Sequence, residues 1–289
     1  MVNSKYNLYI AQLFGSPIIS ELASKGTSGR LNEVVQYSGL RSCNNRKITY
    51  KDLFARAYKY LQKNYRSEYL YKNNVARQLL LKRHSLQIAS LLSEFRVGES
   101  KADVVILNGT STVYEIKTDY DNFDRLDSQL LDYSKVFDKI YVVLSKNKLA
   151  EMQNSLPPHV GIILLKEKEI LVEVKEAQSN KINIIPDYVI NSLRKNEIEE
   201  ILQSYLGYNL NVPNTQFYSR ARALLNKISP VNLHYMMLSV LRDRNREYPS
   251  EKFIQTIPCH LKFAGLTTPL NQKEQDNFQR VLVSEFRIN

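Results

Sequence analysis

The sequence predicts an α/β fold, for three reasons. Two apolar runs rich in β-branched residues, 102–107 and 113–118, are separated by Asn108-Gly109-Thr110-Ser111. Asn-Gly between such runs is a strong hairpin signal, because both residue types tolerate the positive φ of a tight turn. Apolar residues at helical spacing then run from about Asn122 to Asp138, and a further strand pattern follows at 139–144. Strands that alternate with a helix in this way are typical of α/β proteins.

Helical patterns precede this core. Apolar residues recur at helical spacing in four segments, which are 18–23, 31–37, one that begins at Tyr50 or Lys51, and 66–92. From Glu94 the periodicity changes to that of a strand. We therefore expect a basic helical N-terminal region at 1–64 and a core at 65–176.

The remaining elements follow the core. Strand patterns continue at 161–165 and 170–174, and a polar stretch from Glu176 to Pro186 indicates a linker. Further helical patterns then occur in three segments, which are a helix capped by Asp187 and running through Leu206, 217–228, and 231–242. We expect a mixed sheet of four or five strands covered by helices. Residues 187–289 would form a helical C-terminal module, a candidate for binding a protein partner.

Composition restricts the class of protein. Hydrophobic residues make up 43% and charged residues 24% of the 289 residues, as in ordinary globular domains. Cys43 and Cys259 lack zinc-ligand spacing and allow at most one disulfide, which favours a reducing compartment. No apolar run approaches the roughly 20 residues that span a membrane, and no secretory signal is visible. We therefore expect a cytoplasmic protein with no membrane segment.

The net charge of +11 lies in the first third of the chain. Residues 1–83 contain fifteen Lys or Arg and four Asp or Glu, whereas residues 84–289 contain twenty-five of each class. Tyrosines are interleaved with the basic residues, as in Tyr58-Lys59-Tyr60. Basic residues neutralise phosphates and tyrosines stack on bases, so this region is a candidate for nucleic-acid contact. The alternative is a solvated helix face whose tyrosines pack inward.

The hairpin brings three chemically important residues together. Side chains alternate along a strand, so Glu115 and Lys117 point to the same side, about 7 Å apart. The hairpin can place Asp103 beside them. Two carboxylates and an ammonium group in otherwise apolar strands are costly to bury unless they pair or hold a metal. This pattern favours metal-dependent phosphodiester hydrolysis, and the alternative is a buried salt bridge on a sheet face.

The residues Asp103 and Glu115-Ile116-Lys117 resemble the core motif of the PD-(D/E)XK nuclease superfamily. Ala102 stands where that motif has its proline. A second E-x-K triplet, Glu173-Val174-Lys175, has no aspartate between residues 139 and 172 to accompany it. The resemblance implies a restriction-endonuclease-like α/β/α core with a mixed central sheet, plus helical N- and C-terminal extensions.

The predicted helix after the hairpin extends this resemblance. Gln129 and Tyr133 lie four residues apart and share one helix face. They resemble the Q-x-x-x-Y element of a family of stand-alone bacterial nucleases, which faces the active site and the substrate backbone. Arg125, one turn earlier, is a candidate phosphate ligand. The alternative is that Tyr133 packs in the core and Gln129 is solvated.

The resemblance also implies a division of chemical roles. Asp103 and Glu115 would bind Mg²⁺ or Mn²⁺ with a main-chain carbonyl near Ile116, since hard oxygen ligands suit these ions. The ion would polarise the scissile phosphate and activate a water molecule. With two carboxylates nearby, Lys117 is expected to stay charged and to act electrostatically rather than as a base.

A third metal-binding acid is usual in that superfamily, and two residues compete for the role. Glu94 lies nine residues before Asp103, at the head of the strand that enters the motif. Glu68 lies on the preceding predicted helix. Glu94 is the preferred ligand. The alternatives are that Glu94 pairs with Arg96 and that Glu68 forms an i,i+4 pair with Lys72.

Other catalytic motifs are missing from the sequence. The four histidines form no cluster and are expected to be structural or exposed, and no G-x-x-x-x-G-K-[ST] loop occurs. We therefore expect a Mg²⁺-dependent nuclease acting on DNA, in phage defence or DNA processing, with RNA as an alternative substrate. A second hypothesis is a catalytically silent nuclease-like module that binds nucleic acid or protein.

Overall fold

The computed structural model describes residues 4–40, 47–152, 155–244 and 249–287. The described residues of 1–82 and 247–289 form one compact unit, and those of 83–246 form a second. Packing thus divides the chain differently from the three predicted regions. The expected C-terminal module is divided between the units. Its described residues up to 246 pack with the second unit, and its described residues from 249 onward pack with the first. Protein binding by that module remains a prediction.

The helices of the described residues are numbered in chain order. They are α1 (Asn7–Gln12), α2 (Ser16–Lys25), α3 (Gly29–Ser38), α4 (Tyr50–Asn64), α5 (Glu68–Val75), α6 (Leu126–Ser134), α7 (Lys146–Met152), α8 (Pro186–Ser192), α9 (Lys195–Leu206), α10 (Asn214–Leu225), α11 (Pro230–Asp243), α12 (Glu251–Thr256), α13 (Lys262–Thr267) and α14 (Gln272–Val283). A π-helical segment, Ala76–Leu81, continues α5.

The second unit is built on a six-stranded sheet whose strands lie side by side in chain order. They are β1 (Ser90–Val97), β2 (Ser100–Leu107), β3 (Ser111–Lys117), β4 (Lys139–Leu144), β5 (Gly161–Leu165) and β6 (Leu171–Lys175). The pairs β3–β4 and β4–β5 are parallel and the other three are antiparallel. The predicted α/β fold with a mixed sheet and the predicted hairpin are confirmed. The sheet is larger than the four or five strands expected.

The region before the hairpin corrects the predicted end of the helix over 66–92 and the predicted start of the first strand. The helix predicted over 66–92 ends with the π-helical segment at Leu81, and β1 already begins at Ser90. Ile88 is 61% exposed, whereas Leu91 and Leu92 are buried in the sheet. The apolar residues near 86–92 therefore belong to a turn and a strand. Short apolar runs do not distinguish a helix from a strand.

The N-terminal helices are found where the sequence predicts them. The segments 18–23 and 31–37 lie within the longer α2 and α3, and α4 begins at Tyr50. A capping box starts α4: the Thr49 hydroxyl accepts the Asp52 N–H, and the Asp52 carboxylate accepts the Thr49 N–H. One face of α4 is buried, through Leu53, Phe54, Ala57 and Leu61.

The helix after the hairpin, α6, is shorter than the predicted range of 122–138. It begins at Leu126 and ends at Ser134. Phe123 lies before it and Phe137 after it, yet both pack on the same core cluster. Because both side chains face the same core, the apolar spacing over 122–138 resembles that of one longer helix. α6 packs against β2 and β4, and so lies over β3 between them.

The helices α8 to α11 complete the core of the second unit. Ile190, Ile198, Phe217 and Met237 lie in the same hydrophobic cluster as the sheet residue Val142. The sequence predicted a helical C-terminal module for this part of the chain. Periodicity shows that a helix has an apolar face, but it does not show which surface covers that face.

The polar segment predicted as a linker is packed. The side chain of Asn180 donates to the carbonyls of Ser134 and Phe137. The helix expected from Asp187 to Leu206 is divided into α8 and α9. Asp187 does not cap it, because its carboxylate instead pairs with Arg222 at 2.7 Å. Polar composition here reflects hydrogen bonding rather than flexibility.

Two compositional expectations bear on the compartment. Among the described residues, no helix combines the length and apolar character that a membrane span requires. Cys259 is exposed and has a free thiol. Cys43 lies outside the described residues.

Candidate active site

The candidate active site lies where β2 and β3 separate. The antiparallel ladder between these strands ends at the pair Val104 and Tyr114. Beyond this point β2 stays paired with β1, and β3 stays paired with β4. The next opposed residues are Asp103 and Glu115. The predicted juxtaposition of these two positions is therefore present in the fold.

Asp103 is anchored to the main chain of β3. Its Oδ2 accepts a hydrogen bond from the N–H of Ile116 at 2.8 Å. Ile116 lies between Glu115 and Lys117 in the sequence. The carboxylate thus replaces a ladder bond that the separating strands no longer make, and it is held next to the E-x-K triplet.

Glu115 and Lys117 point to the same side of β3, as strand geometry predicts. Lys117 Nζ lies 3.2 Å from Glu115 Oε1. It also donates to Gln129 Oε1 at 2.9 Å, and the Tyr133 hydroxyl donates to Glu115 Oε2 at 2.8 Å. Both polar groups of the Q-x-x-x-Y element on α6 therefore contact the triplet.

Burial controls the electrostatics of this network. Glu115 is 2% exposed, Lys117 8% and Tyr133 0%. Burial raises the pKa of Glu115 above its ordinary value, and the charge of Lys117 and the hydrogen bond from Tyr133 oppose that rise. Burial also raises the pKa of Tyr133, and the negative charge of Glu115 raises it further. The phenol therefore stays protonated and acts as a donor.

The position of Tyr133 corrects one expectation. This residue was a candidate for nucleic-acid contact, but its side chain is fully buried. It fits a positioning role toward Glu115 and does not fit direct contact with a nucleic acid. Arg125 is exposed at the start of α6, one turn before Gln129. Its contact with phosphate remains a prediction.

Replacing Tyr133 with phenylalanine is expected to lower the free energy of unfolding by about 1–3 kcal/mol at pH 7, because a buried charged acceptor loses its donor. The loss should shrink at lower pH, since Glu115 without that donor takes up a proton more readily. Urea denaturation at both pH values measures it. Tyr218→Phe, at an exposed position, is the matched control. Equal changes in the two variants would show that the Tyr133 hydroxyl does not support Glu115.

Glu94 lies beside Asp103 in a strained backbone conformation. In the register of β1 and β2 it stands opposite Asp103, between Ser93 and Phe95. Its φ is 55°, a value that residues with a β-carbon rarely adopt. Carboxylate oxygens of Glu94 and Asp103 lie within 4.8 Å of each other, and Glu94 Oε2 lies 2.7 Å from Lys101 Nζ. Strain of this kind is common at functional sites.

The predicted metal-binding set of Glu94, Asp103 and Glu115 is only partly assembled. Among the described residues, no group of three acidic, His or Cys ligand atoms lying within 4.8 Å of one another includes Glu115. The two Glu115 oxygens are instead directed to Lys117 and Tyr133. A cation would compete with Lys117 for this carboxylate.

Glu68, the competing third acid, lies on α5 in the first unit. Its carboxylate forms an i,i+4 ion pair with Lys72. This is the contact that the alternative interpretation of Glu68 predicts. The choice between Glu94 and Glu68 as third ligand remains a prediction.

Sequence reasoning missed a polar cluster at the ends of two parallel strands. Asp119 follows β3, and its Oδ1 accepts hydrogen bonds from Ser145 Oγ and from Asn147 Nδ2, which follow β4. The carboxyl ends of parallel strands are the usual place for ligand-binding side chains. The signal that could have identified this cluster is the presence of polar residues directly after the predicted strands β3 and β4.

The second E-x-K triplet provides an internal comparison. It lies on β6, where Glu173 is exposed at the sheet edge. Lys175 Nζ donates to the carbonyl of Pro157 at 3.2 Å. The triplet on β3 differs from it in its burial and in its contacts with Gln129 and Tyr133.

Comparisons with known proteins place the chain near a phage protein. The family model described as "Bacteriophage P4 protein cII" matches residues 61–264. "Protein cII" of Enterobacteria phage P4 is 24% identical over 169 residues, which cover 57% of this chain and 63% of that protein. The match therefore spans less than two thirds of the relative.

Among solved structures, a protein of unknown function from Silicibacter pomeroyi matches 48% of this chain and 93% of its own, with 19% identity and a TM-score of 0.32. A likeness at this TM-score supports no statement about fold or function.

Proposed function

The chain belongs to the bacteriophage P4 protein cII family, and we propose that it is a metal-dependent nuclease that hydrolyses phosphodiester bonds in DNA. One observation carries the proposal: Asp103, Glu115 and Lys117 converge where β2 and β3 separate, and side chains from α6 hold the last two. Burying such charges costs free energy. Buried charged groups that perturb one another are typical of catalytic sites.

The acidic residues fit a divalent cation. Asp103 and Glu94 offer hard carboxylate oxygens within 4.8 Å of each other, as two ligands of one ion require. Glu115 would join them if its carboxylate turned away from Lys117. When bound, Mg²⁺ or Mn²⁺ would polarise the scissile phosphate and lower the pKa of the attacking water.

Lys117 supplies a positioned positive charge. Glu115 and Gln129 hold its ammonium group, so it is oriented before a substrate arrives. In hydrolysis a water oxygen bonds to phosphorus and one P–O ester bond breaks, which places extra negative charge on the phosphoryl oxygens. A preorganised cation stabilises that charge more than it stabilises the ground state.

A second candidate function is nucleic-acid binding without cleavage. The observation that favours it is the state of Glu115, whose oxygens are already satisfied by Lys117 and Tyr133. A silent nuclease-like module would keep this network as a structural ion pair. It would bind DNA with a steep salt dependence and would not cut with any divalent ion.

The deciding experiment is digestion of single-stranded DNA, duplex DNA and RNA by the full chain. Each digest is run in EDTA, in Mg²⁺ and in Mn²⁺. We expect cleavage only with the metal and preferentially of DNA. Asp103→Asn should lower the rate by at least about 10²-fold, because the aspartate is both a proposed ligand and an anchor to β3. Loss in Glu94→Gln but not in Glu68→Gln would identify the third acid.

Two results would contradict the proposal. Equal cutting by wild type and Asp103→Asn would identify a contaminant. Salt-sensitive DNA binding without cleavage in either metal would support the binding module. Faster digestion of RNA than of DNA would support metal-dependent phosphodiester hydrolysis but would identify RNA as the substrate.

The proposed function also implies a fold type for the core and a biological role for the protein. We propose that the sheet and α6 form a restriction-endonuclease-like core, to which the other helices are additions. Phage defence and DNA processing are the proposed settings, in the cytoplasm. The relative in Enterobacteria phage P4 supports a phage context.

A further inference from the structure

The positive charge of the chain is concentrated in the first unit. The ranges 1–82 and 247–289 contain nineteen Lys or Arg and nine Asp or Glu, a net charge of +10. The range 83–246 contains twenty-one and twenty, a net charge of +1. The unit that contains the candidate active site therefore has almost no net attraction for a polyanion. The excess positive charge that can attract a polyanion from a distance therefore lies in the first unit.

The exposed face of α4 is the most regular basic surface of the first unit. Arg56, Lys59 and Lys63 are exposed and lie three and four residues apart, so they form one row on the helix. The row spans about 10 Å of helix axis. In the described part of the chain, none of these three side chains forms a salt bridge with an acid.

A groove lies beside the first two residues of this row, Arg56 and Lys59. Its volume is about 410 Å³, and Lys47, Arg56 and Lys59 line it together with Asp52. Hydrogen bonds from the N–H and hydroxyl of Thr49 hold the pKa of Asp52 below its ordinary value. Asp52 is thus engaged in capping α4. Lys47 Nζ lies 3.9 Å from Glu285 Oε2, so Arg56 and Lys59 are the two cations of this groove that suit an added anion.

Four tyrosines on or near this face make contacts within the protein, and one of them, Tyr60, lies in the row itself between Arg56 and Lys63. Tyr58 and Tyr71 are buried, and Tyr60 donates its hydroxyl proton to Asn7. Tyr69 stacks on Phe14 with ring centroids 4.5 Å apart. These four tyrosines are therefore not placed to stack on bases. Tyr58 and Tyr71 pack inward, as the alternative interpretation predicts. The basic side chains of the row are therefore expected to contact the phosphate groups of a nucleic acid and not its bases.

We infer that the exposed face of α4, with Arg56, Lys59 and Lys63, binds the phosphate backbone of nucleic acid without reading its bases. This inference deepens the proposed function and rests on it for the choice of DNA as the partner. The surface raises the local concentration of substrate through charge. Each lysine or arginine that neutralises a phosphate releases a counterion, so binding weakens as salt increases.

The experiment measures binding of the full chain to a fluorescent DNA duplex of about 30 base pairs, in EDTA, from about 50 to 200 mM salt. The triple variant Arg56→Gln/Lys59→Gln/Lys63→Gln is compared with wild type. Its matched control is Lys168→Gln/Arg220→Gln/Lys227→Gln, which removes one arginine and two lysines from exposed positions of the second unit. Melting curves check that all three proteins are folded.

We expect the α4 variant to lose about 2.7 units of the slope of log K against log salt, since each duplex phosphate contact contributes about 0.9. Over a fourfold salt range, wild type should then lose about 40-fold more affinity than the variant. The control should keep the wild-type slope. A second duplex of different base sequence should bind equally to each protein.

Three outcomes overturn the inference. They are an α4 variant with the wild-type slope, a control variant that loses as much slope as the α4 variant, and a slope that differs between the two duplexes. Binding in EDTA is independent of cleavage, so the two proposals fail separately. If the α4 variant has a reduced slope but the wild-type protein does not cut DNA, only the nuclease proposal is contradicted. If the wild-type protein cuts DNA but the slope of the α4 variant is unchanged, only the proposed role of the α4 surface is contradicted.

Discussion

Lys117→Met is expected to lower DNA cleavage by about 10²- to 10³-fold, a loss of roughly 3–4 kcal/mol of transition-state stabilisation. The ammonium group is held by Glu115 and Gln129 rather than by the substrate. Its removal also frees Glu115 from an ion pair that competes with a metal. The variant should therefore bind Mn²⁺ at least as tightly as wild type while cutting far more slowly.

The second E-x-K triplet supplies the control for this substitution. Lys175→Met makes the same chemical change in the same type of triplet on β6, where the lysine contacts a main-chain carbonyl. It should keep the wild-type rate. Single-turnover cleavage gives the rates and calorimetric titration with Mn²⁺ gives the affinities. Equal rate losses in both variants, or lost Mn²⁺ binding in Lys117→Met, would falsify the electrostatic role of Lys117.

Acidification is expected to destabilise the protein through two buried histidines, one in each unit. Burial lowers the pKa of His234 and of His260 from 6.5 to about 4. Because the unfolded chain takes up these protons first, the stability is fully present above pH 6.5 and is lost as pH falls toward 4. The loss should reach about 2 kcal/mol per histidine by pH 5 and about 3 near pH 4.

The contacts of His234 explain why it stays neutral. Ser111 Oγ accepts the N–H of Asp138 at 3.0 Å and lies 2.9 Å from His234 Nε2. Nε2 is thus the ring nitrogen that shares a hydrogen bond with the serine hydroxyl. Within the described residues Nδ1 has no partner. Protonating the ring would place a charge in a buried position, and this desolvation is the main reason why the pKa is lowered.

Urea denaturation between pH 7.5 and pH 5 measures the effect. His234→Gln and His260→Gln keep a polar side chain but cannot titrate, so each should lose about 2 kcal/mol less over this range than wild type. Gln203→Asn, at an exposed position, changes no titratable group, so it is the control and should lose as much as wild type. Glu115 acts in the opposite sense, because its raised pKa favours the folded state as pH falls. If both buried-histidine variants lose as much as wild type, these histidines do not cause the acid sensitivity.

The local part of the candidate site was predictable because it depends on near neighbours. Strand alternation places Glu115 and Lys117 on one side, and Asn-Gly places β2 beside β3. Helical spacing places Gln129 and Tyr133 on one face. None of these rules states how much water reaches a side chain. For that reason the sequence left two alternatives for Tyr133, nucleic-acid contact and packing in the core, and its burial against Glu115 in the folded structure decides for the second.

Four features can be read from the amino-acid sequence without coordinates: the α/β class, the hairpin, the E-x-K triplet with its aspartate, and the asymmetry of charge. These features depend on backbone geometry and composition over short stretches of chain. Three other features required the folded chain: β2 and β3 separate at Asp103, α8 to α11 close the core of the sheet, and Tyr58 and Tyr71 near α4 are buried. Each of these depends on which apolar surfaces cover one another, and residues far apart in the chain settle that choice by removing the most apolar area from water.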